Sequence, residues 1–152
     1  MQKRVYHQRL AALLLMGSLL FAAQNAGAES GTVKFPQDIT FQPTPAGVQV
    51  AVLYGDPSKP GLYVVRFKLP AGTKVIPHTH PEQNRTLTVL SGTLYFGLGD
   101  RYDETKLTPY PAGTFFSEVP NVAHYVAAKD GDVIFQATGI GPTELIPAHH
   151  AE

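Results

Sequence analysis

Two histidines, His78 and His80, stand one residue apart in the stretch Gly72 to Gly92, GTKVIPHTHPEQNRTLTVLSG, of a 152-residue chain. Residues at i and i+2 of a β-strand share a face, because strand side chains alternate with period two. Two imidazoles held on one side of a stiff strand make half of a metal site, since neutral imidazole suits first-row divalent ions. Around them lie other groups with chemical potential. Glu82 and Gln83 follow His80 in a polar turn, from which either would reach a metal as a fourth ligand. Arg85 has the strand parity of Leu87 and Val89 and is expected to point inward. There it either clamps a carboxylate or phosphate by bidentate hydrogen bonding, or slips outward to pair with Glu82 or another acid. Tyr63 and Tyr125 are candidate substrate contacts or proton donors.

No residue declares itself a catalytic acid, base or nucleophile. Ser91 lacks the Gly-x-Ser-x-Gly setting of a nucleophile elbow. Gly97-Leu98-Gly99-Asp100 has no helix after it to make a phosphate loop. Asn84-Arg85-Thr86 is a glycosylation sequon in form only, and His149 and His150 fall in an exposed terminal stretch.

The elements that must hold these groups are strands. Val48–Tyr54, Leu62–Leu69, Thr86–Leu90, Thr93–Leu98, Thr114–Val119, Val122–Ala128 and Val133–Thr138 are short and rich in Val, Phe, Tyr, Leu and Thr. Gly, Pro, Asp and Asn groups separate them, and the 13 prolines and 14 glycines fall mainly at these breaks. Many short strands with turn chemistry between them indicate an all-β sandwich or barrel. Asp103 to Leu107 is the one internal segment with helical character, and Ile39 to Phe41 reads as an edge strand.

With the strands placed, the chain resembles the cupin superfamily. Gly72, five residues, His78-Thr79-His80 and the later Gly92 match its first motif. Gly113 followed by His124, with Val119-Pro120-Asn121 between, matches its second. The resemblance implies a single-domain, double-stranded β-barrel of jelly-roll type over 46–146. It also implies that His78, His80 and His124 face one another across the lumen as ligands of a divalent ion (Fe, Mn, Ni or Zn). The first motif departs from the family at Arg85, where a glutamate is usual; the second carries Asn121 for glycine, which tolerates the left-handed conformation. Losing the glutamate resembles the three-histidine cupin dioxygenases. A metal-free barrel, in which the histidines hydrogen-bond internally or bind ligand, is the alternative.

Composition bounds the rest. Lys3, Arg4 and Arg9 precede an apolar run from Leu10 to Ala23, and Ala26-Gly27-Ala28 supplies small residues at a cleavage point. This is the pattern of a secretory signal over 1–28, too short in its apolar part to span a bilayer comfortably. The expected organisation is therefore signal, arm at 29–45, barrel, and a loose tail at 147–152, in the periplasm or outside the cell. All 12 acidic residues but only 12 − 3 = 9 basic ones lie beyond residue 28, a net charge of 9 − 12 = −3. Nothing there suits nucleic acid or an anionic membrane, which need clustered positive charge. No cysteine is present, so stability rests on the core, on metal, or on a partner subunit such as a second copy. Three functions fit: a metal-dependent enzyme of dioxygenase or lyase/isomerase type acting on a small, anionic molecule, a binding or sensing module, and a metal-free structural barrel.

Overall fold

Strands dominate the computed structural model, which describes residues 31–148. The signal expected over 1–28, His149 and His150 lie outside the described residues. From Thr32 onward the described chain falls in one compact unit. Two antiparallel sheets face each other. The first has the order β1-β2-β3-β10-β5-β8, from Gln42–Pro43, Gln49–Tyr54, Gly61–Leu69, Val133–Gly141, Thr86–Ser91 and Phe115–Ser117. The second has the order β11-β4-β9-β6-β7, from Ile146–Pro147, Lys74–Thr79, His124–Ala127, Thr93–Leu98 and Thr108–Pro111. This is the jelly-roll barrel that the strand pattern and the cupin resemblance imply.

Alternation sorts the side chains. In β10, Val133, Phe135 and Ala137 are buried while Ile134, Gln136 and Thr138 are partly exposed. They pack with Leu69, Val75, Leu87, Val89, Leu94 and Val126 from both sheets. The turns use the residues that left-handed backbone requires. Gly92 has φ +74°, and a Cβ there would stand 2.4 Å from the Asp132 carbonyl oxygen, so only glycine joins β5 to β6. Asn121 has φ +60°, and its N–H donates to the His80 carbonyl at 2.8 Å, tying the turn before β9 to the end of β4.

Three details differ from the sequence expectation. The edge strand forms at Gln42–Pro43 rather than 39–41, behind a 3-10 turn at Pro36–Asp38; proline is tolerated there because an edge strand need not donate. The segment Asp103 to Leu107 gives a single 3-10 turn, Glu104–Lys106, capped by the Asp103 side chain on Thr105 N. The region beyond 146 begins inside the fold: Ile146 and Pro147 pair with Thr79 and His78, and Ala148 N–H donates to the Pro77 carbonyl.

Candidate metal centre

β4 and β9 are neighbours, and His78 is registered directly against His124. A bulge between Val75 and His78 re-aims the end of β4, and His80 follows two residues on. The ring centroids of His78 and His124 are 4.4 Å apart, and those of His78 and His80 5.1 Å. One ring nitrogen from each of the three lies within 4.8 Å of the others. All three are buried.

The backbone sets the orientation of each ring. Nδ1 lies 2.8 Å from the Ile76 carbonyl in His78, 2.7 Å from that of Glu144 in His80, and 3.1 Å from that of Val122 in His124. A carbonyl only accepts, so each Nδ1 carries a proton, and a ring that is neutral presents its lone pair at Nε2. Second-sphere carbonyls of this kind fix the tautomer of metal-binding histidines. Burial holds His78 unprotonated by pushing its pKa down to about 4. His80 is lowered too, by burial and then by the Arg85 charge.

Glu118 was not among the residues that the sequence singled out. Its side chain is 6% exposed, and its Oε1 stands 3.3 Å from His124 Nε2. With His124 protonated on both nitrogens that contact is an ion pair; with Nε2 bare, a cation between the two groups would take the proton's place. Metal–nitrogen and metal–oxygen bonds of about 2.0–2.2 Å place neighbouring ligands of one ion roughly 3.0–3.5 Å apart, so the spacing suits a shared ion. Burial opposes ionisation of Glu118, but His124 and the Arg85 charge overcome it and hold the pKa at about 2. The donor set therefore fits a divalent metal. Strand pairing places Glu118: Phe116 faces Leu87 across the sheet, and the residue two further on shares its side.

Arg85 does point inward, and its charge is consumed by the protein. Nη1 donates to Glu82 Oε1 at 3.0 Å and to the Tyr63 hydroxyl at 2.8 Å. Nε lies 2.7 Å from Glu118 Oε2, an ion pair at an angle short of a hydrogen bond. The guanidinium is thus balanced by two carboxylates, which removes the need for an anionic substrate to compensate it. Glu82 is drawn into the same network. Its Oε1 accepts from Tyr63, Arg85 and Thr143, so that oxygen is engaged with Arg85 and its neighbours, and Glu82, like Glu118, is not part of the three-histidine cluster. Gln83 is exposed, turned away by the tight turn at Asn84 (φ +60°), and offers no fourth ligand.

Tyr125 is the other correction. It follows His124 on β9 and so faces the opposite side of the sheet. Its ring fills the space over Gly97, where a Cβ would stand 2.3 Å from it, and its hydroxyl donates to the Asp103 carbonyl at 3.1 Å. Tyr63 is the tyrosine that lines the interior, with burial raising its pKa and keeping the phenol protonated. Between the sheets, a cavity of about 460 Å³ opens onto His78, His80, His124, Arg85 and Glu118.

Comparison with known proteins agrees with this architecture. Residues 29–142 match the family described as the ChrR cupin-like domain. A stretch of 60 residues, 40% of the chain, is 40% identical to germin-like proteins 8-10 and 8-8 of Oryza sativa subsp. japonica. That stretch spans only 23% of the length of those relatives. The polyketide cyclase RemF from Streptomyces resistomycificus superposes with a TM-score of 0.63 at 13% identity, over 81% of this chain and 89% of its own. An RmlC-like cupin from Shewanella frigidimarina NCIMB 400 gives 0.57 at 18%, over 80% and 95%. KdgF from Halomonas sp. gives 0.55 at 18%, over 76% and 94%. At these identities the likeness to solved structures is one of fold. The family match spans most of the chain and both histidine-bearing segments, and the chain belongs to the ChrR cupin-like domain family of the cupin superfamily.

Proposed function

We propose that this protein is a metal-dependent enzyme acting on a small molecule, with His78, His80 and His124 holding a divalent ion and Glu118 contributing a carboxylate beside them. The observation that carries the reading is the buried cluster of His78, His80 and His124, whose ring nitrogens lie within 4.8 Å of one another, with Glu118 Oε1 3.3 Å from His124 Nε2. When bound, the ion supplies Lewis acidity or, if it is iron, redox chemistry. The protein's own groups do the rest. The three carbonyls that receive Nδ1–H hold the imidazoles in place, and Arg85 positions Glu118 through Nε. Tyr63 keeps its proton and anchors Arg85 and Glu82. The cavity receives the substrate and limits water around the reacting end.

A binding or sensing role without turnover is the second reading, and one observation favours it. Glu118, held at about 2, is a weak base near neutrality and is poorly suited to general base work. Export to the periplasm or beyond is part of the proposal and is supported by the basic, apolar and small-residue order of 1–28.

The test is metal content per chain, by elemental analysis of untagged full-chain protein beside His78→Ala and His124→Ala. Near-stoichiometric metal, lost in both variants, is expected. A folded wild type that stays metal-free after reconstitution with Fe(II), Mn(II), Ni(II) and Zn(II) would sink the metal reading. Turnover abolished by His78→Ala in a folded protein separates the enzyme from the binding module.

A further inference from the structure

The interior between the sheets is not filled. Its cavity of about 460 Å³ is walled by carbon, with Val48, Val65, Phe67, Leu94, Phe116 and Phe135 among its lining. Most of the polar groups gather around the three histidines, Glu118 and Arg85, and the hydroxyls of Thr44, Tyr63 and Thr143 that also line it are already given to the Val48 carbonyl and Glu82. An apolar cavity of roughly 150 Å³ takes up benzene, so by proportion this one has room for a ligand on the order of 15 non-hydrogen atoms. A polyhydroxylated ligand would lose water from each hydroxyl and meet no donor or acceptor on those walls.

Charge narrows the class further. Arg85 is the one cationic side chain among the lining residues apart from the histidines, and Glu82 and Glu118 already offset it. Glu144 also lines the cavity but is exposed and screened by water; with neutral imidazoles, the buried groups contribute +1 from Arg85 and −1 from each of Glu82 and Glu118, a sum of −1. A divalent ion brings the site to +1, enough to balance a head group with no more than one negative charge.

We infer that the ligand is an aromatic or alicyclic molecule with a single oxygen head group, neutral or singly charged. The head sits at the histidine cluster and the carbon body lies against the Val, Leu and Phe walls. The head group's placement rests on the proposed metal site; the selection for a carbon body does not.

The test is calorimetric titration of the full-chain protein, Zn(II)-loaded and metal-free, with 2-naphthol, galacturonate and 2-naphthyl phosphate. The expected result is one 2-naphthol per chain, bound to the loaded protein at least about tenfold more tightly than either of the others. Val65→Phe and Val48→Phe fill the cavity from two walls, and each should abolish 2-naphthol binding with metal content unchanged. Tighter binding of galacturonate or naphthyl phosphate would overturn the inference, as would undiminished 2-naphthol binding in both wall variants. If those variants do not fold, the ranking of the three compounds on the wild type decides. Failure of the metal reading looks different: no ion is retained, yet 2-naphthol enters and Val65→Phe excludes it.

Discussion

Arg85 and Glu118 show how a charge can be relocated within a site while the site keeps its character. An arginine stands where the resemblance leads one to expect a carboxylate, and a carboxylate reaches both it and His124 from the end of β8. The two form a pair, with Glu82 as the second counter-charge. Removing the cation alone strands two buried carboxylates, so Arg85→Met should cost about 3–5 kcal/mol by denaturant unfolding of metal-free protein. A loss under about 1 kcal/mol would mean that the pairs are not formed in solution. Glu118→Gln leaves Arg85 paired with Glu82 and should change stability little. It should instead weaken metal affinity on the order of 10–100-fold, read by chelator competition, whereas an unchanged affinity would remove Glu118 from the site. Arg85 was legible as an inward oddity from its parity with Leu87 and Val89. Its partner was not, because Glu118 lies far away in sequence and is brought near by strand pairing alone.

Among the elements, β4 and β9 carry the site, and their contents were largely legible. The i, i+2 spacing of His78 and His80 put both on one face, and period two likewise gave the inward run Leu87 and Val89 on β5. The same rule, applied to β9, would have sent Tyr125 away from His124; as a substrate contact it conflicted with its own neighbour. What no spacing revealed is what receives Tyr125 on the far side: Gly97, directly opposite in β6, which leaves room for the ring. Gly97→Ala should therefore destabilise the fold by about 1–3 kcal/mol, seen as a lower melting temperature, because a methyl group would overlap a fully buried aromatic ring. Tyr125→Phe should retain full metal binding, since its hydroxyl serves only the loop at Asp103. Loss of metal in Tyr125→Phe would place that hydroxyl in the site after all. The short edge pairings at Gln42–Pro43 and Ile146–Pro147 escaped notice because two-residue strands carry no periodicity to read.

At the scale of the molecule, two sheets enclose a cavity with a metal-suited cluster, and binding there is linked to folding. An ion held by the native state alone stabilises it by roughly 4 kcal/mol at a free concentration a thousand times its dissociation constant. Zn(II) should accordingly raise the melting temperature of the wild type and leave that of His124→Ala unchanged; an equal rise in both would assign the metal effect to another site. The measurement that bears most directly on the central claim is titration of Co(II) into metal-free full-chain protein, followed by visible absorption. Three imidazoles around one ion, with Glu118 beside them, predict new ligand-field bands that saturate at one Co(II) per chain and vanish in His124→Ala. A spectrum that stays that of the hydrated ion, or bands that persist undiminished in His124→Ala, would contradict it.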